Sequence, residues 1–170
     1  EGWRSYFPGD EVALPTALTY LRNRAAGGMA IEDPEARFAA MLVTVLARMG
    51  ITVGGGSGSG EAPEDLPVIA SIPSQPIVEI LSSTLGFSDN FAAETLGKAL
   101  ADATGEPAAS IAAAGDSIES WARSVGVSVS AFDSSGLSYA NRVTARALVR
   151  LLADAETREW GAALIEALPG

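Results

Sequence analysis

Apolar and polar positions alternate along this chain with mostly helical spacing. Phe38, Met41, Leu42, Val45, Leu46 and Met49 recur at three- and four-residue intervals between Asp33-Pro34-Glu35 and Gly50. This pattern predicts a helix capped by Asp33, with proline at its first position and glycine at its end. Ile77, Ile80, Leu81 and Leu85 predict a second helix, with Ser74 or Gln75 as its cap and Pro76 in its first turn, ending at Gly86. A third begins at Ser88-Asp89-Asn90, with Phe91, Thr95, Leu96, Ala99 and Leu100 as its buried stripe. Further helices are expected over 108–125, from a Thr144 cap through 153, and over 157–168. Ile51–Val53, Leu66–Ile72 and the β-branched alternation of Val127–Phe132 read as short strands. Helices dominate.

Between these elements, residues 1–30 are irregular and rich in Pro, Gly and aromatic residues. The run Gly54-Gly55-Gly56-Ser57-Gly58-Ser59-Gly60 cannot hold regular structure cheaply and reads as a loop or an inserted linker. It divides the chain into a smaller part, 1–60, and a larger one, 61–170.

With 170 residues, 48% of them hydrophobic, the chain can bury a core. The net charge of −10 lacks the basic stripe that a phosphate backbone requires, which argues against nucleic acid. Arg142, Arg146 and Arg150 have helix-face spacing and read as a solvated face. There is no cysteine and no histidine. Disulfides, zinc–cysteine sites and a Ser-His-Asp triad are therefore excluded within the chain. No metal or other cofactor is expected. No apolar run reaches the roughly 18 residues of a membrane helix. The chain opens Glu1-Gly2-Trp3-Arg4, without methionine or signal peptide, so a trimmed or excised piece is expected.

Two segments could carry chemistry. Ser88-Asp89-Asn90 places a hydroxyl and a carboxamide two residues apart at a helix start. A serine hydroxyl donates and accepts at once, so it can relay a proton to a leaving amine. A carboxamide can hold a substrate amide. Asp89 is expected to turn back onto the backbone as a cap. Taken alone, the tripeptide reads as a helix cap, because these are the preferred capping residues. Asp133-Ser134-Ser135-Gly136-Leu137-Ser138, taken alone, reads as a turn.

Together with their surroundings, these segments resemble the class C low-molecular-mass penicillin-binding proteins, the D-alanyl-D-alanine carboxypeptidase/endopeptidase family. The resemblance is carried by Ser74-Gln75-Pro76-Ile77, Ile80-Leu81 and Ser88 through Leu96. It continues in Asp133 through Ser138, Asn141-Arg142-Val143-Thr144 with the helix holding Leu148 to Leu152, and Leu168-Pro169. Ser134 stands where the family usually has glycine. Tyr139 stands where relatives that grip a free diaminopimelate end can carry arginine.

The resemblance implies a mixed α/β fold of the serine-transpeptidase/β-lactamase type. This chain would supply mainly its helical subdomain (61–170) and the end of an inserted accessory domain with a connecting helix (1–60). It implies an exported bacterial enzyme, outside the cytoplasm, that cuts peptidoglycan stem peptides through an acyl-serine intermediate and is acylated by β-lactams. Ser88 and Asn90 would be catalytic, and Ser135, Gly136, Leu137, Ser138 and Tyr139 would border the substrate. The family's Ser-x-x-Lys and Lys-Thr-Gly do not occur here: the single lysine, Lys98, follows Thr95 at that spacing. The chain alone is therefore expected to be inactive. A wall-binding relative without the nucleophile is the alternative. A β-lactamase of related fold ranks last, since no Glu-x-x-x-Asn spacing follows Asp133.

Overall fold

The computed structural model describes residues 2–61, 63 and 65–168, so Pro169 of the Leu168-Pro169 pair lies outside the described residues. It contains six α-helices: α1 (Pro34–Arg48), α2 (Ile77–Gly86), α3 (Asn90–Ala103), α4 (Ile111–Ser124), α5 (Ala145–Glu156) and α6 (Gly161–Ala167). The chain forms two compact units, one of residues 1–7 with 75–170 and one of residues 8–74.

Among the described residues of the unit 8–74, α1 is the one α-helix. Asp33 accepts from the Ala36 amide at 2.9 Å and Pro34 takes the first position, as the sequence predicts. The apolar stripe of α1 remains largely exposed, with Leu42, Val45 and Met49 all open to solvent. The glycine-rich run is irregular and exposed.

The larger unit packs α3 on α4, and α2 and α5 on α6. Its core is built from small residues: Ala101, Ala113, Ala114 and Ala122 are buried, with Val127 and Ala147 closing the α4–α5 end. Small side chains let helix backbones approach closely. A Cβ on Gly97 of α3 would lie 3.0 Å from the Ala114 Cβ of α4. The Thr104 and Ser117 hydroxyls bond at 2.9 Å across the same pair of helices. An apolar cavity of about 880 Å³ opens between α2, α4 and α6, lined by Leu81, Leu100, Trp121, Trp160 and Leu164 among others.

Several expectations are corrected. No extended strand forms at Ile51–Val53, Leu66–Ile72 or Val127–Phe132, so the described residues are helical, and the mixed α/β character implied for the whole fold is not shown by this chain. A ladder requires a neighbouring strand to take its amides and carbonyls. Val68, Ile69 and Ile72 instead stand almost fully exposed. Val127–Phe132 has one bridge, Ser130 to Arg142, with reciprocal amide–carbonyl bonds of 2.8 and 2.9 Å. Pro76 itself occupies the cap position of α2, in place of Ser74 or Gln75. Ser110 caps α4, which starts later than expected, and Thr157 ends α5 rather than opening α6. The buried face of α3 is Phe91, Glu94, Gly97 and Ala101, not the stripe through Thr95, Leu96, Ala99 and Leu100. Leu100 lines the open cavity instead, and the buried face accommodates a loop.

Candidate functional site

Among the described residues, four helices end in the same hydrogen-bonded motif. At the end of α2, the Ser88 amide donates to Leu85 O (3.3 Å) and the Asp89 amide to Thr84 O (2.9 Å). The matching pairs at α1, α3 and α4 involve Gly50 and Ile51, Gly105 and Glu106, and Gly126 and Val127. The motif needs a left-handed residue just past the cap, a conformation that favours glycine. Glycine fills it three times, at φ between +75° and +83°. After α2 it is Ser88, at φ +51°. Residues with a Cβ seldom adopt this conformation; Leu21, Arg22 and Asn23 are the other described non-glycine residues that do.

Ser88 is exposed and Asn90, the first residue of α3, is half-buried. Between them, Asp89 accepts from the Ala92 amide at 3.1 Å, the capping role expected of it. Asn90 and Glu94 are four residues apart on α3 and so share a face.

Glu94 is fully buried. Its Oε1 accepts from the backbone amides of Ser134 (3.1 Å) and Ser135 (2.8 Å), and Oε2 is buried beside it. Burial pushes its ionisation above the ordinary carboxyl range, against hydrogen bonds from the Ser135 side chain and from the Ser135 and Ser134 amides, and nearby Asp133 adds to the rise.

Asp133 organises the other side of the segment. Its Oδ1 accepts from the Gly136 amide (3.0 Å) and Asn141 Nδ2 (2.7 Å). Its Oδ2 accepts from the Ser138 amide and Trp3 Nε1, both at 2.6 Å. Asn141 Oδ1 in turn accepts from the Phe132 amide at 2.8 Å. Two helix glycines let the segment approach. A Cβ on Gly97 would overlap the Ser134 side chain, and one on Gly115 would overlap the Ala131 carbonyl.

The expected substrate-bordering residues therefore sit on one tethered turn. Ser135 and Leu137 are half-buried, Gly136 is exposed at φ +80°, and Ser138 is buried. Tyr139 is 61% exposed; its ring stacks on Phe7 at 6.1 Å and lies under the Arg4 guanidinium at 4.9 Å. The tie between this turn and the helix of Asn90 runs through Glu94. Sequence reasoning passed over both Glu94 and Asp133 as site residues. A carboxylate four residues after Asn90, flanked by Ala93 and Thr95-Leu96, was the available signal. Among the described residues, no group of three or more acidic side chains could hold a metal ion.

The family described as D-Ala-D-Ala carboxypeptidase 3 (S13) matches residues 10–169. The chain belongs to this family. It is 40% identical over 83 residues to carboxypeptidase DacB of Mycolicibacterium smegmatis, a match covering 47% of this chain and 18% of that protein. It is 32% identical over 145 residues to a D-alanyl-D-alanine carboxypeptidase of an Actinomadura species, covering 82% of this chain and 27% of that protein. Penicillin binding protein 4 (dacB) of Haemophilus influenzae, solved in complex with a β-lactam, superposes with a TM-score of 0.73 at 25% identity. That match covers 83% of this chain and 33% of the other. The chain thus spans between 18% and 33% of the length of these relatives, and corresponds to a helical subdomain of the penicillin-binding-protein fold.

Proposed function

We propose that the parent protein is a serine-type D-Ala-D-Ala carboxypeptidase/endopeptidase of the cell-wall space. It would act on peptidoglycan stem peptides through an acyl-serine intermediate and be acylated by β-lactams. Its whole fold would be mixed α/β, with residues 1–60 closing an inserted domain and 61–170 contributing the helical subdomain. Ser88 is the observation that carries the reading: a serine occupies the left-handed position that the same motif gives to glycine elsewhere in the chain.

In this reading the nucleophilic Ser-x-x-Lys and the Lys-Thr-Gly strand come from outside this chain, which alone forms no acyl-enzyme. When the scissile bond breaks, the D-alanine nitrogen needs a proton. The Ser88 hydroxyl passes one to it while accepting another from the catalytic ammonium. Asn90 holds the substrate amide with one end of its carboxamide and that ammonium with the other. Ser135, Gly136, Leu137, Ser138 and Tyr139 border the substrate's side chain. The named activities of the relatives support a carboxypeptidase activity of the parent protein.

The test is an intact mass of the full-length gene product after incubation with excess benzylpenicillin. A stable one-to-one adduct on a serine outside this segment is expected. A folded protein that forms no adduct would overturn the reading in favour of a wall-binding relative without the chemistry.

A further inference from the structure

We infer that Glu94 is a positioning residue for substrate selection: it holds the wall formed by Ser135 to Tyr139 in register with Asn90. The inference rests on the proposed function and names how its substrate wall is set. Two observations carry it. Glu94 is fully buried, and one of its oxygens accepts from the consecutive amides of Ser134 and Ser135 at 3.1 and 2.8 Å. It stands one helical turn from Asn90, so the residue that grips the substrate amide and the anchor of the side-chain wall share one rigid element. Burying a carboxyl group is costly, and an apolar side chain could fill the same volume, so packing alone does not call for it.

The geometry also separates Glu94 from Asp133. Asp133 closes the turn on itself, through Gly136, Ser138 and Asn141. Glu94 makes the hydrogen bonds that join the turn to α3, beside the packing of Ser134 on Gly97. Loss of Glu94 should therefore leave a turn of nearly correct shape that is no longer held against Asn90. Substrates with an extended side chain should suffer from this, and those without one much less.

The experiment uses the full-length protein and two substrates, a stem peptide and a truncated acyl-D-Ala-D-Ala. The readout is the ratio of their kcat/KM values, which does not depend on the fraction of enzyme that is folded. In Glu94→Ala the ratio should fall about 10-fold, with the loss concentrated in KM for the stem peptide. Glu94→Asp, too short to reach both amides, should behave likewise and covers the case in which the alanine variant does not fold. Glu94→Gln keeps the accepting oxygen and should stay within about 3-fold of wild type. An unchanged ratio in Glu94→Ala or Glu94→Asp would overturn the positioning role while leaving the proposed function intact. A wild-type protein that neither forms a penicillin adduct nor cleaves either substrate would overturn the proposed function, and the positioning role with it.

Discussion

Ser88 occupies at the end of α2 the same left-handed position that Gly126 occupies at the end of α4, with φ angles of +51° and +75°. Both amides donate back into the last helical turn, Ser88 to Leu85 and Gly126 to Arg123. A Cβ at such a position costs roughly 1 kcal/mol. Ser88→Gly should therefore raise stability by about that amount in thermal or denaturant unfolding. It should also lower D-Ala-D-Ala hydrolysis by the parent protein about 100-fold or more, the scale of a lost proton relay. Ser88→Ala should lose activity without gaining stability. Full activity in Ser88→Gly would end the proposed role.

Gly97 and Ser134 compete for one space. A Cβ at 97 would sit 2.7 Å from the Ser134 Cβ and 3.0 Å from the Ala114 Cβ. Gly97→Ala should destabilise by about 1–3 kcal/mol through overpacking. The buried Ser134 hydroxyl has no hydrogen-bond partner, so Ser134→Gly removes an unsatisfied group. The double variant should recover part of the Gly97→Ala loss, with the Ala114 contact preventing full recovery. A double-mutant cycle on unfolding free energies measures the coupling; strict additivity would show that the two sites do not meet.

Asp133 accepts four hydrogen bonds, two on each oxygen. Asn keeps one accepting oxygen and turns the other into a donor facing donors. Asp133→Asn should cost about 3 kcal/mol or more. Amide exchange should rise at Gly136 and Ser138 and change little in the middle of α5. Unchanged protection at both amides would count against the tethering described for this turn.

Glu94 gives the fold a pH dependence whose sign follows from its burial, which raises its ionisation above the ordinary value of 4.5. The native state then keeps a proton that the unfolded chain has lost. Its stabilising contribution is complete below the unfolded value and is lost as pH rises through the native one. Glu94→Gln cannot ionise. Its melting temperature relative to wild type should therefore increase as pH rises from the ordinary carboxyl range towards neutrality. A difference that stays level across that range, or shrinks, would contradict the burial assigned to this group.

The sequence alone determined much of what lies within about five residues along the chain, although it misplaced the cap of α2 and the start of α4. Asp33, Asp89 and Thr144 cap their helices where side-chain chemistry places them. Gly50 and Gly126 end theirs, because a cap or a left-handed turn bonds only to neighbours three to five positions away. The order of the short motifs was enough to suggest the family. Tertiary structure decided the rest. Whether Val127–Phe132 becomes a strand depends on a partner edge, which propensity cannot supply, and here one bridge to Arg142 forms. Leu100 looked like core by hydrophobicity, yet the buried face of α3 carries Glu94 and Gly97, because a turn 40 residues away packs there. A carboxylate on a helix is ordinarily a solvated group, and only two amides brought from that distance give it a reason to be inside.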